Sequence, residues 1–457
     1  MKKIGFLITL WGCKFGLVLC KLFKKNGSVV AGTVAMKFRK DFLKYFTNIN
    51  YDKTIFITGT NGKSTTNNLI VHTLRNSGKT VTTNLEGSNL ITGVATALIK
   101  DSTMMGKINS EFLVFETDER YLSKIYKYIP AKNICITNIQ KDQVQRNGEP
   151  DFIYKKIKDV INDKVRIFVN NDEPRSKSFE DFTKHVVYYG VNKNDRSFEK
   201  KNFYDVTMPC PKCNCKLHFK YYNIDNVGDF KCSTCDFKSE VKPDYKITTI
   251  NYKNNEFICN NEKYHMPYNQ PFFLYNYALA IAVCKTFKLN HDEINNAFKC
   301  FKNIAGRLET INYKDKVIKY IRIKQENPET LQSAFDYIAR DKSKKVFMIG
   351  LEQLEDFKPY YTNTFYSFDC NLDNIINSDI EKYICFSKAV SYDTANRLIY
   401  AGIPREKIVI IPSDSDDAIF RELDKCDCTN VYLITWLHKY EELIKDVSKM
   451  DKEGKNE

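Results

Sequence analysis

From Thr54 to about Gly190, short apolar runs alternate with helix-like segments, and this alternation limits the fold more than any other feature of the chain. TIFITG reads as a buried strand and Thr65 to Ser77 as a helix. TVTTN, EFLVFET, NICITN, RIFVNND and HVVYYG read as further strands. Strands separated by helical stretches cannot pair as hairpins. They need crossovers, and crossovers give a parallel, doubly wound sheet with helices on its faces. After Gly306-Arg307 the alternation resumes with VIKYIRI, KVFMIG, YICFS, KIVII and VYLIT, five strands of a second, Rossmann-like α/β domain. Between the two, an amphipathic helix is expected from Tyr275 to Phe287 and another from Asp292 to Phe301.

The first strand-to-helix junction carries chemistry. Thr58-Gly59-Thr60-Asn61-Gly62-Lys63-Ser64-Thr65 follows a strand and opens a helix. Glycines there let the backbone approach closely, so that successive N–H groups and the helix dipole face an anion. Lys63 can reach β- and γ-phosphates, and the Ser64 hydroxyl can hold Mg²⁺. The usual pattern has a glycine where this chain has Ile57, so the lead-in is shorter. Two acidic groups end later strands: Glu116-Thr117-Asp118-Glu119 and Asp142. A carboxylate at a strand's carboxyl end, facing the loop, would complete a Mg²⁺ site.

Residues 203–243 break the alternation and hold four cysteines in the pattern Cys210-x₂-Cys213-x₁₈-Cys232-x₂-Cys235. Each knuckle aims two thiolates at one ion, and four close a tetrahedral shell with no place for water. The spacing therefore predicts a structural Zn²⁺ ribbon; a redox pair or an iron centre are the alternatives. Cys215 has the wrong spacing. With few apolar residues, the insert would draw much of its folding energy from the metal. The other cysteines sit singly in apolar runs, among them Cys135, Cys284, Cys370 and Cys385, as buried thiols do. An odd total of fifteen argues against a disulfide scaffold and for a reducing compartment.

At roughly 100–200 residues per domain, 457 residues imply two to four domains. The 43% hydrophobic content excludes wholesale disorder, and the lack of an 18-residue uncharged run excludes a polytopic membrane protein. The net charge of +14 accompanies richness in Lys, Asn, Ile and Tyr, with no tight Lys/Arg block. It reads as composition, and no nucleic-acid partner is expected. The first 27 residues imitate a signal peptide, but Lys14 and Lys21 interrupt the apolar stretch and no small-residue cleavage site follows. As a helix, Ile4, Leu7, Ile8, Trp11, Phe15, Val18, Leu19 and Leu22 share one broad face, expected to pack on the next domain. A membrane-surface anchor is the second reading, because lysines at both ends suit anionic lipid.

TGTNGKST, ETDE, TNIQKDQ and NNDEP together resemble the central domain of the Mur ligases. TNLEGSNLITGVATAL, KDQVQRNGE, the four-cysteine insert, FFLYNYALAIA, GRLE and YDTANRLIYAGI resemble the MurT branch of that family, over nearly the whole chain. The resemblance implies an N-terminal helical segment at 1–50 and a central ATP-binding domain at 51–305 with a zinc-ribbon insert at 205–240. A C-terminal α/β domain at 306–457 completes it. It implies a ligase that uses ATP and Mg²⁺ to turn the D-glutamate α-carboxylate of the lipid II stem into an acyl phosphate. Ammonia from a GatD-type glutaminase partner then makes D-isoglutamine. Such an enzyme would work in the cytoplasm, near the inner face of the membrane.

Position by position, the resemblance gives Lys63 and Ser64 to phosphate and Mg²⁺, and Glu116 to Mg²⁺. Gln143 stands where most Mur ligases have a metal-binding His. Asn276 falls near adenine, and Arg307 near phosphate or ribose. Gly306 would be the joint about which the last domain shields the acyl phosphate from water. The MurT pattern N-D-N-x-x-D-G-x-D followed by W-x-W-D is altered here. Gly350-Leu-Glu-Gln-Leu-Glu-Asp-Phe and Thr364-Phe-Tyr-Ser-Phe-Asp369 replace it, without the Asp-Gly-x-Asp element. Asp369 keeps the final acid, which in the family completes the partner's Cys-His pair. The departure leaves two other readings: a Mur-like ligase that adds an amino acid, or a nucleotide-binding scaffold with impaired catalysis.

Overall fold

The computed structural model describes the chain except for residues 1, 23–28, 86–87, 200–207, 303–307, 355–360 and 454–457. It divides into two compact units. The first takes Met1–Gln140, Asn147–Lys201 and Asp205–Asn303; the second takes Lys141–Arg146 and Ile304–Glu457.

In the first unit, α1 (Lys2–Leu22) and α2 (Val30–Phe38) precede an alternating run. The run is β1 (Thr54–Thr58), α3 (Lys63–Asn76), β2 (Val81–Thr83), α4 (Ile91–Asp101), β3 (Phe112–Glu116), α5 (Glu119–Tyr126), β4 (Asn133–Ile136), α6 (Pro150–Lys158), β5 (Arg166–Asn170) and β6 (Val186–Val191). The insert contributes the hairpin β7 (Leu217–Ile224) and β8 (Val227–Cys232). Then come β9 (Tyr245–Asn251), β10 (Glu256–Cys259) and β11 (Glu262–His265), which the sequence reading did not anticipate, followed by α7 (Pro271–Thr286) and α8 (His291–Cys300). The sheet order is β2-β3-β1-β4-β5-β6-β9-β10-β11. Its strands are parallel as far as β9, and β10 and β11 close one edge as an antiparallel meander.

Both faces of the sheet are covered, which is why its strands read as continuous apolar runs. Successive side chains serve opposite cores. Ile55 and Ile57 of β1 enter the core under α3 and α7, while Phe56 enters the core under α4 and α5. Helix α7 was expected to be amphipathic, but every residue from Phe273 to Cys284 is buried. It packs against α3, β5, β6 and β9, so it has no solvent face. Truncating a buried leucine there, such as Leu279→Ala, should cost about 2–5 kcal/mol.

The orientation of α1 is opposite to the expectation. Phe6 and Leu10 are 0% exposed, whereas Ile4, Ile8 and Phe15 of the expected packing face are 62%, 61% and 65% exposed. The helix is apolar on two faces, and two contacts choose between them. Phe6 joins Phe42, Tyr45 and Phe46 in an aromatic cluster with centroid separations of 5.0–5.6 Å. Lys14 turns inward and donates to the Ile99 and Ser102 carbonyls, at 2.5 and 2.6 Å, at the end of α4. A cation there meets the negative end of the helix dipole and acceptors the helix itself leaves unpaired.

The second unit holds β12 (Leu308–Tyr313), β13 (Lys316–Ile321), α9 (Pro328–Arg340), β14 (Lys345–Ile349), β15 (Ile380–Phe386), α10 (Ser391–Tyr400), β16 (Ile408–Ile411), α11 (Asp416–Leu423), β17 (Asn430–Ile434) and α12 (Leu437–Glu453). The sheet order is β12-β13-β17-β14-β15-β16. All five expected strands are present and lie parallel; β12, which was not expected, adds antiparallel to β13. Each face carries its own apolar core.

Candidate active site and metal centre

β1 ends at Thr58 and α3 begins at Lys63, so Gly59–Gly62 turn the chain from sheet to helix. Gly59 and Gly62 have φ of 119° and 84°, a region that side chains disfavour. Space forbids a side chain as well. A Cβ on Gly59 would lie 2.7 Å from the Asn138 carbonyl oxygen, and one on Gly62 would lie 2.5 Å from Asn276 Oδ1. The first-turn N–H groups of α3 have no intrahelical acceptor, so this end of the helix suits an anion.

The loop is held by residues about eighty positions later in the chain. The Thr60 amide donates to the Asn138 carbonyl at 2.8 Å. The Asn61 amide donates to Asn138 Oδ1 at 2.9 Å, and Asn138 Nδ2 returns a bond to the Asn61 carbonyl at 3.1 Å. The Gln140 amide donates to Thr60 Oγ1 at 2.9 Å. Between those two anchors, the Ile139 amide donates to Glu173 Oε2 at 3.2 Å. Glu173 also accepts from the amides of Arg175 and Ser176. Burial raises the Glu173 carboxyl to about 7 in spite of these donors. Its neighbour Asp172 is raised by burial to about 6 while accepting from the Val191 amide and the Tyr275 hydroxyl.

Lys63 is 8% exposed and Glu119 5%, and their ion pair closes at 2.7 Å. The Lys63 ammonium also donates to the Gly59 and Thr60 carbonyls. Burial raises the Glu119 carboxyl, and the charge of Lys63 opposes that rise. Glu116 is the last residue of β3 and sits in register with Ile57 of β1, beside the strand end that leads into the loop. Its carboxylate accepts from Asn89 Nδ2 at 3.4 Å. Ser64 is exposed, and Thr65 is buried in the first turn of α3. Asn276, on α7, is 5% exposed and accepts from Thr66 Oγ1 at 3.2 Å, so it lies against the start of α3.

The insert gathers its four cysteines. The sulfurs of Cys210, Cys213, Cys232 and Cys235 all lie within 4.8 Å of one another. Cys210 is 3.7 Å from Cys235, and Cys213 is 3.5 Å from Cys232. A tetrahedral ion with Zn–S bonds of about 2.3 Å would set its sulfurs about 3.8 Å apart, so the donor set fits. The amides of Thr234 and Cys235 donate to Cys232 Sγ, the Thr234 amide chief among the influences that bring its thiol down to about 6. Cys210 and Cys213 are raised instead, so it is the gathering of the four sulfurs that supports the donor set. Cys215 is not part of the cluster. Around it, Met208, Leu217, Phe230 and Phe237 form a small apolar core.

Two family models match the chain: the Mur ligase middle domain over residues 57–284 and the MurT ligase C-terminal domain over residues 325–437. The chain belongs to the Mur ligase family, as a MurT-type member. It is 28% identical to the subunit MurT of lipid II isoglutaminyl synthase (glutamine-hydrolyzing) of Staphylococcus aureus, over 79% of this chain and 80% of that one. It is 27% identical to the corresponding subunit of Streptococcus pneumoniae, over 90% of each chain. In fold it resembles a pseudomurein peptide ligase type C from Methanothermus fervidus, with a TM-score of 0.64, 19% identity and coverage of 90% of this chain and 80% of that one. It also resembles MurF ligase from Thermotoga maritima in complex with ADP, with a TM-score of 0.57, 16% identity and coverage of 92% and 85%.

The KDQ stretch of this MurT-type chain belongs to its second unit. Asp142 accepts from Asn327 Nδ2 at 3.1 Å and pairs with Lys324 at 3.4 Å. The Gln143 amide donates to the Glu326 carbonyl at 2.9 Å, and the Val144 amide to the Tyr366 hydroxyl at 3.0 Å. Asp369 follows the short helix Thr364–Ser367 and is half-exposed; Lys141 Nζ binds it at 2.6 Å. Asp369 is thus part of the second unit. Gly306 and Arg307 lie outside the described residues, as do residues 355–357, the last three of the stretch that replaces the Asp-Gly-x-Asp element.

Sequence reasoning gave no role to Asn138, Gln140 or Glu173, and offered Glu119 only as one of a group of acids that could complete a Mg²⁺ site, where the structure pairs it with Lys63. The signal was there in part: ETDE, TNIQ and NNDEP each place polar residues directly after a buried strand, where an open α/β sheet presents its ligand edge.

Proposed function

We propose that the chain is the synthetase subunit of an ATP-dependent amidating ligase. It would convert the D-glutamate α-carboxylate of the lipid II stem to D-isoglutamine in the cytoplasm. The observation that carries the reading is the clamped loop Gly59–Thr65 with its buried lysine, in a chain that resembles MurT subunits over most of its length. ATP supplies the phosphoryl group that makes the carboxylate an acyl phosphate, which ammonia opens to the amide with release of phosphate.

The chain's own residues supply binding and electrostatics. The amides at the start of α3 and the Lys63 ammonium hold the phosphates and offset charge as it develops on the transferring group. Ser64 and Glu116 hold Mg²⁺, an oxygen donor set of the kind this ion takes. Asn138 and Gln140 fix the loop backbone, Glu119 keeps Lys63 aimed, and Asn276 lines the nucleotide side of the loop. The four cysteines hold Zn²⁺ in a structural role. Ammonia is mostly ammonium at neutral pH, so a glutaminase subunit of the GatD type is the expected donor, with Asp369 contributing to its site. The domain division at residue 306, with Arg307 contacting nucleotide, completes the reading.

The test is copurification with a glutaminase encoded beside this chain, followed by mass analysis of lipid II after incubation with ATP and glutamine. Conversion of one carboxyl to an amide is expected. Conversion supported by an amino acid but not by ammonia or glutamine would point to an amino-acid-adding ligase and overturn the proposal. Asp369→Asn should spare the ammonia-driven reaction and weaken the glutamine-driven one. Equal loss of both would remove Asp369 from the partner's site.

A further inference from the structure

The amino-terminal helix presents an apolar surface that its own unit does not cover. Ile4, Ile8, Trp11, Phe15, Val18, Leu19 and Leu22 recur at helical spacing along one side of α1. They range from 37% exposed at Leu19 to 71% at Leu22. Met104 and Met105, 55% and 57% exposed, adjoin this side, since Trp11 Nε1 donates to the Met104 carbonyl at 2.7 Å. The charge that would interrupt the surface is withdrawn. Lys14 points the other way, into the carbonyls at the end of α4. What remains is an uncharged strip on a helix about 30 Å long, well beyond the scattered apolar side chains of an ordinary surface.

Charge around the strip is one-sided. The first fifty residues hold ten lysines and arginines and a single acid, Asp41, so this ninth of the chain carries +9 of the net +14. Lys3 and Lys21 flank the strip at its two ends, and Lys37, Lys40 and Lys44 are exposed nearby in sequence. An apolar strip flanked by lysines matches the boundary between acyl chains and anionic headgroups. A second protein surface would have to be both apolar and strongly acidic to fit as well.

We infer that the exposed side of α1 seats the protein on an anionic bilayer, lying in the interface plane. By length and composition alone α1 could cross a membrane. Its opposite side, however, is committed: Phe6, Leu10 and Cys13 are buried and Lys14 is bonded to α4. A spanning pose would break those contacts. The inference rests on the surface and its charge and is independent of the reaction proposed above.

The experiment uses the full chain and vesicles of phosphatidylcholine with about one third phosphatidylglycerol, the anionic component that basic segments seek. Wild type should cosediment with them, and more weakly with pure phosphatidylcholine or at high salt. Ile8→Asp with Phe15→Asp, both at exposed positions, should lower vesicle binding at least about ten-fold while leaving the melting temperature and ATP turnover unchanged. In a Trp436→Phe background, Trp11 is the single tryptophan. Its fluorescence should shift to the blue and be quenched by brominated lipid, a readout that needs no surface variant. Wild type that stays in the supernatant overturns the inference, as does binding that the double substitution leaves intact or Trp11 that brominated lipid cannot reach. A dimer that the same substitution dissociates, with no vesicle binding, would assign the surface to a second copy instead.

Discussion

Two sets of acids, one in each unit, are held in opposite ways. In the first unit Asp172, Glu173 and Glu119 are buried, and burial raises all three carboxyls, Asp172 to about 6 and Glu173 to about 7. Two acids of the second unit show the reverse. Burial pushes Glu381 up, but the Cys428 thiol, the Asp427 amide and Lys344 outweigh it and bring it down to about 2. Asp341 is likewise held below the usual carboxylate range, because the Ser343 hydroxyl and amide, Tyr432 and Asn430 outweigh its burial. Glu381 and Asp341 therefore favour the folded state. The first unit buries acids to hold backbone amides beside the phosphate loop, and to hold Lys63, at some expense of stability. Such local conflict is what a site built for position looks like.

The strongest way to break the first unit is at its insert, whose apolar core is small. Structural zinc contributes about 10–16 kcal/mol in isolated zinc-finger peptides. Cys232→Ser should therefore lose stoichiometric zinc and unfold the hairpin of β7 and β8, while melting of the second unit stays put. Elemental analysis and calorimetry would show it, and a full zinc complement in the variant would end the ribbon assignment.

Next is the buried pair. Lys63→Ala should lower ATP turnover about 10³-fold or more. It should also destabilise the first unit by about 3–5 kcal/mol, because Glu119 is left buried without its partner. Adding Glu119→Gln should restore most of the stability and none of the turnover. Turnover that survives Lys63→Ala would remove the loop from the chemistry.

The contrast in acids gives two pH effects of opposite sign. Glu173 has a raised folded pKa, so its favourable contribution is complete below about 4.5 and is lost as pH rises through about 7. The span is on the order of 3 kcal/mol. Glu173→Gln should flatten that fall in a melting series. A wild-type first unit whose stability does not decline across the window would contradict the burial argument. Glu381 has a lowered folded pKa, so its contribution is present above about 4.5 and is lost as pH falls toward about 2. The smallest expected effect is that Glu381→Gln removes an acid-side loss of stability from the second unit alone.

Local patterns were legible because the groups that act together are neighbours in the chain. Two glycines and a lysine in seven residues specify a tight turn from strand to helix, and paired knuckles bring four sulfurs together. The parallel strands were legible because burial on both faces writes itself as apolar runs. β9 to β11 and β12 escaped because they lie at or next to the margins of their sheets and mix polar with apolar residues. Helix α7 was misjudged because its few polar atoms, such as the Tyr275 hydroxyl, find buried partners instead of solvent.

By itself the sequence determined the alternation, the loop, the four thiolates and two α/β units, since each is a matter of periodicity or of residues a few positions apart. Only the tertiary structure decided which residues brace the loop, that Lys63 rests on Glu119, and which side of α1 faces outward. Those choices turn on hydrogen bonds and packing between segments dozens of residues apart. Nothing in a helix with two apolar faces says which one the rest of the chain will cover.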